Sequence, residues 1–123
     1  MAEAIANALG EGRIEAQSAG LAPAGWIAEN TLITLERLGY SDAGLHSKGL
    51  ESIETEDVDV VISLLGSRGL DLLPPGFATR REAWPIPDPI GEDEAFYNGV
   101  AQQIERRIRG FLLDEAEEEL LPT

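Results

Sequence analysis

The sequence predicts an α/β fold, a sheet of short strands with helices packed on it. Three observations carry that expectation. Val58-Asp59-Val60-Val61-Ile62-Ser63-Leu64 is the most apolar and β-branched run of the chain, as a buried parallel strand requires. From about Asp93 to Glu117, the residues Tyr97, Val100, Ile104, Ile108 and Phe111 form a continuous stripe at helical spacing. Elsewhere, strand-like and helix-like segments alternate along the chain.

Taken in order, 1–9 reads as a short helix with Ile5, Ala8 and Leu9 on one side and Gly10 as its C-terminal signal. Gly10-Glu11-Gly12 is a turn. Residues 13–18 alternate, with Ile14, Ala16 and Ser18 facing one way and Arg13, Glu15 and Gln17 the other. That pattern predicts a half-buried strand near a sheet edge. A loop with Pro and Gly follows, then a helix from Ile27 to Leu38 with Ile27, Thr31, Leu35 and Leu38 stacked and Gly39 closing it. Residues 40–57 form a polar connection with a short helix near Leu50 to Ile53. Residues 66–75 are a loop with room for one helical turn, and the last strand runs from Glu82 to Ile86, led in by Arg80 and Arg81. The aromatics Trp26, Trp84, Phe96, Tyr97 and Phe111 suit the core or its rim. No repeat or linker is visible, so 1–123 is read as one domain.

Composition narrows the function classes. At 123 residues and 43% hydrophobic, the chain is long enough to bury a core without disulfide or metal staples. A net charge of −14 argues against nucleic acid and anionic membranes as partners. The densest basic cluster, Arg106, Arg107 and Arg109, is read as a solvated helix face. Zero cysteines rule out disulfides, thiolate metal sites and thiol chemistry by these residues. The acidic residues show no metal-loop spacing, so no cofactor and no metal is expected. With no signal peptide or spanning segment in the pattern, a cytoplasmic location is expected. Gly66-Ser67-Arg68-Gly69 is too short for a nucleotide loop, and the lone histidine, His46, is read as a surface residue.

Three motifs then occur in order: Gln17-Ser18-Ala19-Gly20, Leu45-His46-Ser47-Lys48 and Trp84-Pro85-Ile86-Pro87-Asp88-Pro89. In sequence and spacing they resemble the low-molecular-weight protein tyrosine phosphatase family, in particular its bacterial arsenate-reductase-like branch. Met1-Ala2-Glu3-Ala4 is similar to the start of that family's first helix. The resemblance implies a phosphotyrosine protein phosphatase I-like three-layer α/β/α sandwich with a parallel sheet in the order two, one, three, four. In the family, the inner first strand and a Cys-x5-Arg-Ser phosphate loop come before that helix, and neither is in this sequence.

The resemblance also assigns roles. A phosphatase of this family uses a thiolate at a helix N-terminus as nucleophile, an arginine on the phosphate oxygens and an aspartic acid that protonates the leaving phenol. Only the last has a match, Asp88, here a relic of the general acid. Past the C-terminal end of a strand is where open α/β sheets place their sites, and Pro89 biases Asp88 toward extended backbone. The bare alternative for Asp-Pro is a turn. Ser18 matches the serine that supports the phosphate loop; without that loop it reads as a small strand residue. Leu45 stands where many family members carry a loop-supporting histidine. The reductase branch adds two cysteines, where this chain has Leu65 and Leu72 or Leu73. A cysteine relay for arsenate is therefore excluded on these residues.

Loss of the inner strand exposes edges on 13–18 and on 58–64, and buried unsatisfied backbone groups cost about 1–3 kcal/mol each. Three repairs are open. The two strands close on each other into a three-stranded sheet with 58–64 in the middle, two chains pair across the gap, or the gene product begins upstream of Met1. Of the first two, the homodimer is favoured. The expectation is thus a catalytically inactive binding or oligomeric member of the family, with an active phosphatase completed by an N-terminal nucleophile loop as the alternative.

Overall fold

The computed structural model describes residues 1–20, 27–71, 73, 78 and 80–120, apart from the side chains of Thr55 and 116–120. Six main elements follow one another: α1 (Ala2–Leu9), α2 (Glu29–Leu38), β1 (Val60–Ser63), α3 (Ser67–Asp71), β2 (Arg80–Ala83) and α4 (Glu94–Leu120). Two single 3-10 turns, Leu50–Ser52 and Thr55–Asp57, interrupt the polar connection. The α/β class holds.

α4 is the spine. Its N-terminus is fixed by Asp93, whose carboxylate accepts the Phe96 N–H at 3.0 Å and so satisfies one donor of the first turn. The stripe predicted from spacing is the buried face: Tyr97, Val100, Ala101, Ile104, Ile108 and Leu112 are buried, and Phe111 is half-buried at its edge. α1 and α2 both pack on α4. Ile5 from α1 and Leu35 from α2 are fully enclosed in the same cluster. Gly39 ends α2 with φ +82, a left-handed backbone that glycine adopts without strain, and its N–H caps the helix. Two further bonds lock the helices together. Tyr40 donates to Glu105 at 2.5 Å, and the Arg13 guanidinium donates to the Leu112 carbonyl at 2.9 Å.

β1 and β2 pair in parallel, Val60 opposite Arg80 through Ser63 opposite Ala83. The contact continues past the strand ends, with the Trp84 N–H donating to Ser63 O at 2.8 Å and the Ile86 N–H to Leu64 O at 3.2 Å. α3 packs against both strands. It comes close because Gly69 has no side chain: a Cβ there would lie 2.0 Å from the Ser63 hydroxyl oxygen. Trp84 ties the sheet to α4 by an edge contact with Phe111, ring centres 6.3 Å apart. The Arg80 guanidinium lies over the Phe111 ring, 5.1 Å from its centre, and forms ion pairs with Glu82 and Glu115.

Several expectations need correction. No strand forms over 13–18; residues 14–19 have no ladder partner, and only Gly20 makes an isolated parallel bridge, to Gly49. The three-stranded closure therefore does not occur, and the described sheet has two strands. The backbone groups of this segment find side-chain partners on α1 instead. The Asn7 amide both accepts from the Ala16 N–H and donates to the Ala16 carbonyl, at 2.7 and 3.1 Å. One helical turn away, Glu3 accepts the Ser18 N–H at 2.7 Å. β1 is half-buried along its whole length rather than enclosed, and among the described residues only one of its edges is paired with a strand. α2 starts at Glu29 with Thr34 and Leu35 as its buried pair, and β2 starts two residues early at Arg80. Phe96 is 39% exposed and not a core residue, while Trp26 lies outside the described residues.

Candidate functional site

Ser18 is brought beside the second motif by backbone pairing. The Gly20 N–H donates to the Lys48 carbonyl at 2.9 Å, and the half-buried Leu45, packed on the core, anchors the loop from below. The result is a shallow cavity of about 190 Å³ between Ser18, Gly20, Ile27, His46 and Lys48. That is smaller than the roughly 300–1,000 Å³ of ordinary ligand sites. His46 is exposed, with Nδ1 3.0 Å from the Gly44 carbonyl oxygen.

The polar centre at this place is the Glu3 carboxylate. Its Oε1 accepts from the Ser18 N–H at 2.7 Å, the Ser18 hydroxyl at 3.1 Å and the Lys48 ammonium at 3.2 Å. The Glu3 and Lys48 side chains are only 11% and 12% exposed. Burial alone raises the carboxyl pKa, yet the Ser18 N–H, the Lys48 ammonium and the Ser18 hydroxyl together outweigh it and hold the group below its usual value of 4.5. The Ser18 donors and the Lys48 cation are thus spent on an internal carboxylate. Sequence reasoning missed Glu3; the signal was its i, i+4 pairing with Asn7 on a helix whose other face is apolar.

Asp88 is elsewhere. It is exposed beyond the buried Trp84, and its Oδ1 accepts the Ile90 N–H at 3.1 Å, closing a turn over Pro89. It does not line the Ser18 cavity, so the two sequence-predicted site residues are not brought together there. Leu65, in the first reductase position, is 63% exposed; Leu73 is half-buried and Leu72 lies outside the described residues. Among the described residues, no three His, Asp or Glu side chains converge as metal ligands.

A second cavity, about 290 Å³, opens where the chain leaves β2. Pro85 and Ile86 form one wall; Gln103, Arg106 and Arg107 of α4 form the other. The basic cluster is therefore divided. Arg109 lies 3.8 Å from Glu105 on the far side, whereas Arg106 and Arg107 face this space.

Comparison with known proteins adds the relationships. Residues 1–121 match the family model described as low molecular weight phosphotyrosine protein phosphatase. The glutaredoxin arsenate reductase of Synechocystis sp. is 32% identical over 114 residues, which are 91% of this chain and 85% of that protein. A solved arsenate reductase in the reduced state superposes with a TM-score of 0.80 at 30% identity, covering 92% of this chain and 86% of its own. The low-molecular-weight protein tyrosine phosphatase of T. tengcongensis gives a TM-score of 0.79 over 92% of this chain and 88% of its own; at 21% identity it speaks for the fold alone.

Proposed function

Because the chain belongs to the low-molecular-weight phosphotyrosine protein phosphatase family yet holds no cysteine in its 123 residues, we propose that these residues form a catalytically inactive member that works by binding, first of all to a second copy of itself. The missing thiol supports the inactive half. A cysteine relay for arsenate finds no support in these residues for the same reason.

The free edge of β1 carries the binding half. The Asp59 and Ser63 carbonyls face β2, accepting from Arg80 at 3.4 Å and Trp84 at 2.8 Å. Alternation then turns the N–H and C=O groups of Val60 and Ile62 to the opposite edge, where no described strand pairs with them. A two-fold axis through that edge would join β1 to its copy as an antiparallel pair. Ser18 and Asp88 are, in this reading, relics of loop support and acid catalysis. Cytoplasmic residence belongs to the same proposal; no described helix is long and apolar enough to cross a membrane. Aryl phosphate assays and light scattering test it together: no turnover and a dimer are expected, while turnover above background or a persistent monomer overturns the corresponding half.

A second reading is favoured by the position of Asp88 just past β2. It is an active phosphatase in which a Cys-x5-Arg segment precedes Met1. Intact mass from source cells distinguishes the two, at 13.3 kDa or heavier. In a heavier species, Asp88→Asn should slow phenol release by roughly 10²–10⁴-fold. Unchanged turnover removes Asp88 from the mechanism.

A further inference from the structure

We propose that the cavity between the Pro85-Ile86 segment and α4 is an oxyanion-binding site, holding a phosphate-sized group between Gln103, Arg106 and Arg107. The proposal is independent of the dimer and of any catalysis. Positions 103, 106 and 107 follow helical i, i+3, i+4 spacing, so one face of α4 presents an amide donor and two guanidiniums to the same space. Guanidinium forks match tetrahedral oxyanions, and an amide adds a neutral donor.

The chain has 23 acidic residues against nine Lys and Arg, and at least four of those cations find a carboxylate. Arg37 pairs with Glu94, Lys48 with Glu3, Arg80 with Glu82 and Glu115, and Arg109 with Glu105. Arg106 and Arg107 have no ion-pair partner among the described residues, although Glu105 is their sequence neighbour. Glu105 is drawn to the other side by Tyr40 and Arg109. Two adjacent unneutralised guanidiniums repel each other, and a dianion between them relieves that repulsion. The distant negative charge does not cancel the effect, because fields are screened over about 8 Å at physiological ionic strength. The opposite wall, Pro85 and Ile86, is apolar, which suits a phosphate carried on an organic group as well as the free ion.

The test is a titration of ¹⁵N-labelled protein with inorganic phosphate, ionic strength held constant with sodium chloride. Saturable shifts are expected at the Arg106 and Arg107 side chains, the Gln103 amide and the Ile86 N–H. The double variant Arg106→Gln, Arg107→Gln should bind about tenfold more weakly or worse, the weight of a charge-assisted hydrogen bond. Arg68→Gln, an exposed arginine on α3, should leave binding unchanged. A parallel titration with a phosphoserine peptide identifies the source: tighter binding than phosphate points to a phosphorylated side chain, equal binding to the free anion. Shifts that do not saturate, that survive in the double variant, or that centre on Ser18 and Lys48 overturn the proposal.

Discussion

One carboxylate oxygen, Glu3 Oε1, accepts both the backbone N–H and the hydroxyl of Ser18, at 2.7 and 3.1 Å. α1 thereby holds an extended segment that has no strand beside it, and Lys48 completes the cluster at 3.2 Å. Glu3→Gln keeps the shape but removes the charge, leaving a mostly buried Lys48 without its counter-ion. A loss of about 1–3 kcal/mol is expected at neutral pH. The pH dependence follows from the lowered carboxyl pKa. Between the folded and unfolded values the unfolded chain holds more protons, so the contribution is complete above about pH 4.5 and is lost as pH falls through the folded value. Urea unfolding of both proteins at neutral pH and at about pH 3 checks this, the gap between them narrowing in acid. An equal gap at both pH values would show that the Glu3 charge contributes nothing.

Tyr40 provides the opposite sign. Its hydroxyl is raised to about 12 by burial first, then by the hydrogen bond and charge of Glu105. The folded state keeps this proton where the unfolded chain gives it up, so the contribution is whole below pH 10 and fades as pH rises through the folded value. Tyr40→Phe should cost about 1 kcal/mol at neutral pH, the net worth of a hydrogen bond. It should also flatten the alkaline limb of the stability profile. If that limb is unchanged, Tyr40 does not hold the end of α2 to α4.

Thr34 is fully buried on α2, and its hydroxyl oxygen has no hydrogen-bond partner among the described residues. An unsatisfied buried hydroxyl costs about 1–3 kcal/mol, and valine fills the same space without it. Thr34→Val should therefore gain about 1 kcal/mol, seen as a rise of about 4 °C in the melting temperature. A lower melting temperature would mean that the hydroxyl is satisfied in solution.

These residues also mark what the sequence could and could not convey. The stripe from Tyr97 to Ile108 was legible because helical burial repeats within one segment, and the helix formed where the spacing put it. The alternation of 13–18 was equally clear, but a strand needs a neighbour as well as a pattern, and here the neighbour is a pair of α1 side chains. Thr34 was hidden inside an ordinary amphipathic helix. The motif residues were visible as letters, yet Asp88 does not line the cavity that Ser18 lines. Arg106 and Arg107 are exposed, as the solvated-face reading expected; what spacing could not show is the wall opposite them, Pro85 and Ile86, from a strand end about twenty residues earlier in the chain.

The proposed self-association has a position-specific test at β1. Val60 is the first residue of that strand, and its N–H points away from β2 by the alternation fixed at Asp59 and Ser63. Proline is tolerated at the first position of a strand on an edge, where no ladder bond is lost. Val60→Pro should thus keep the β1–β2 pairing, and with it the Trp84 contact to Phe111, while removing a donor that a second copy needs. Light scattering should show a dimer for the parent chain and a monomer for the variant, with unchanged near-ultraviolet circular dichroism from Trp84 as proof of folding. If both chains are dimers, the partner sits elsewhere. If both are monomers and the circular dichroism is intact, the open edge is not a self-association surface, and the binding half of the functional proposal falls with it.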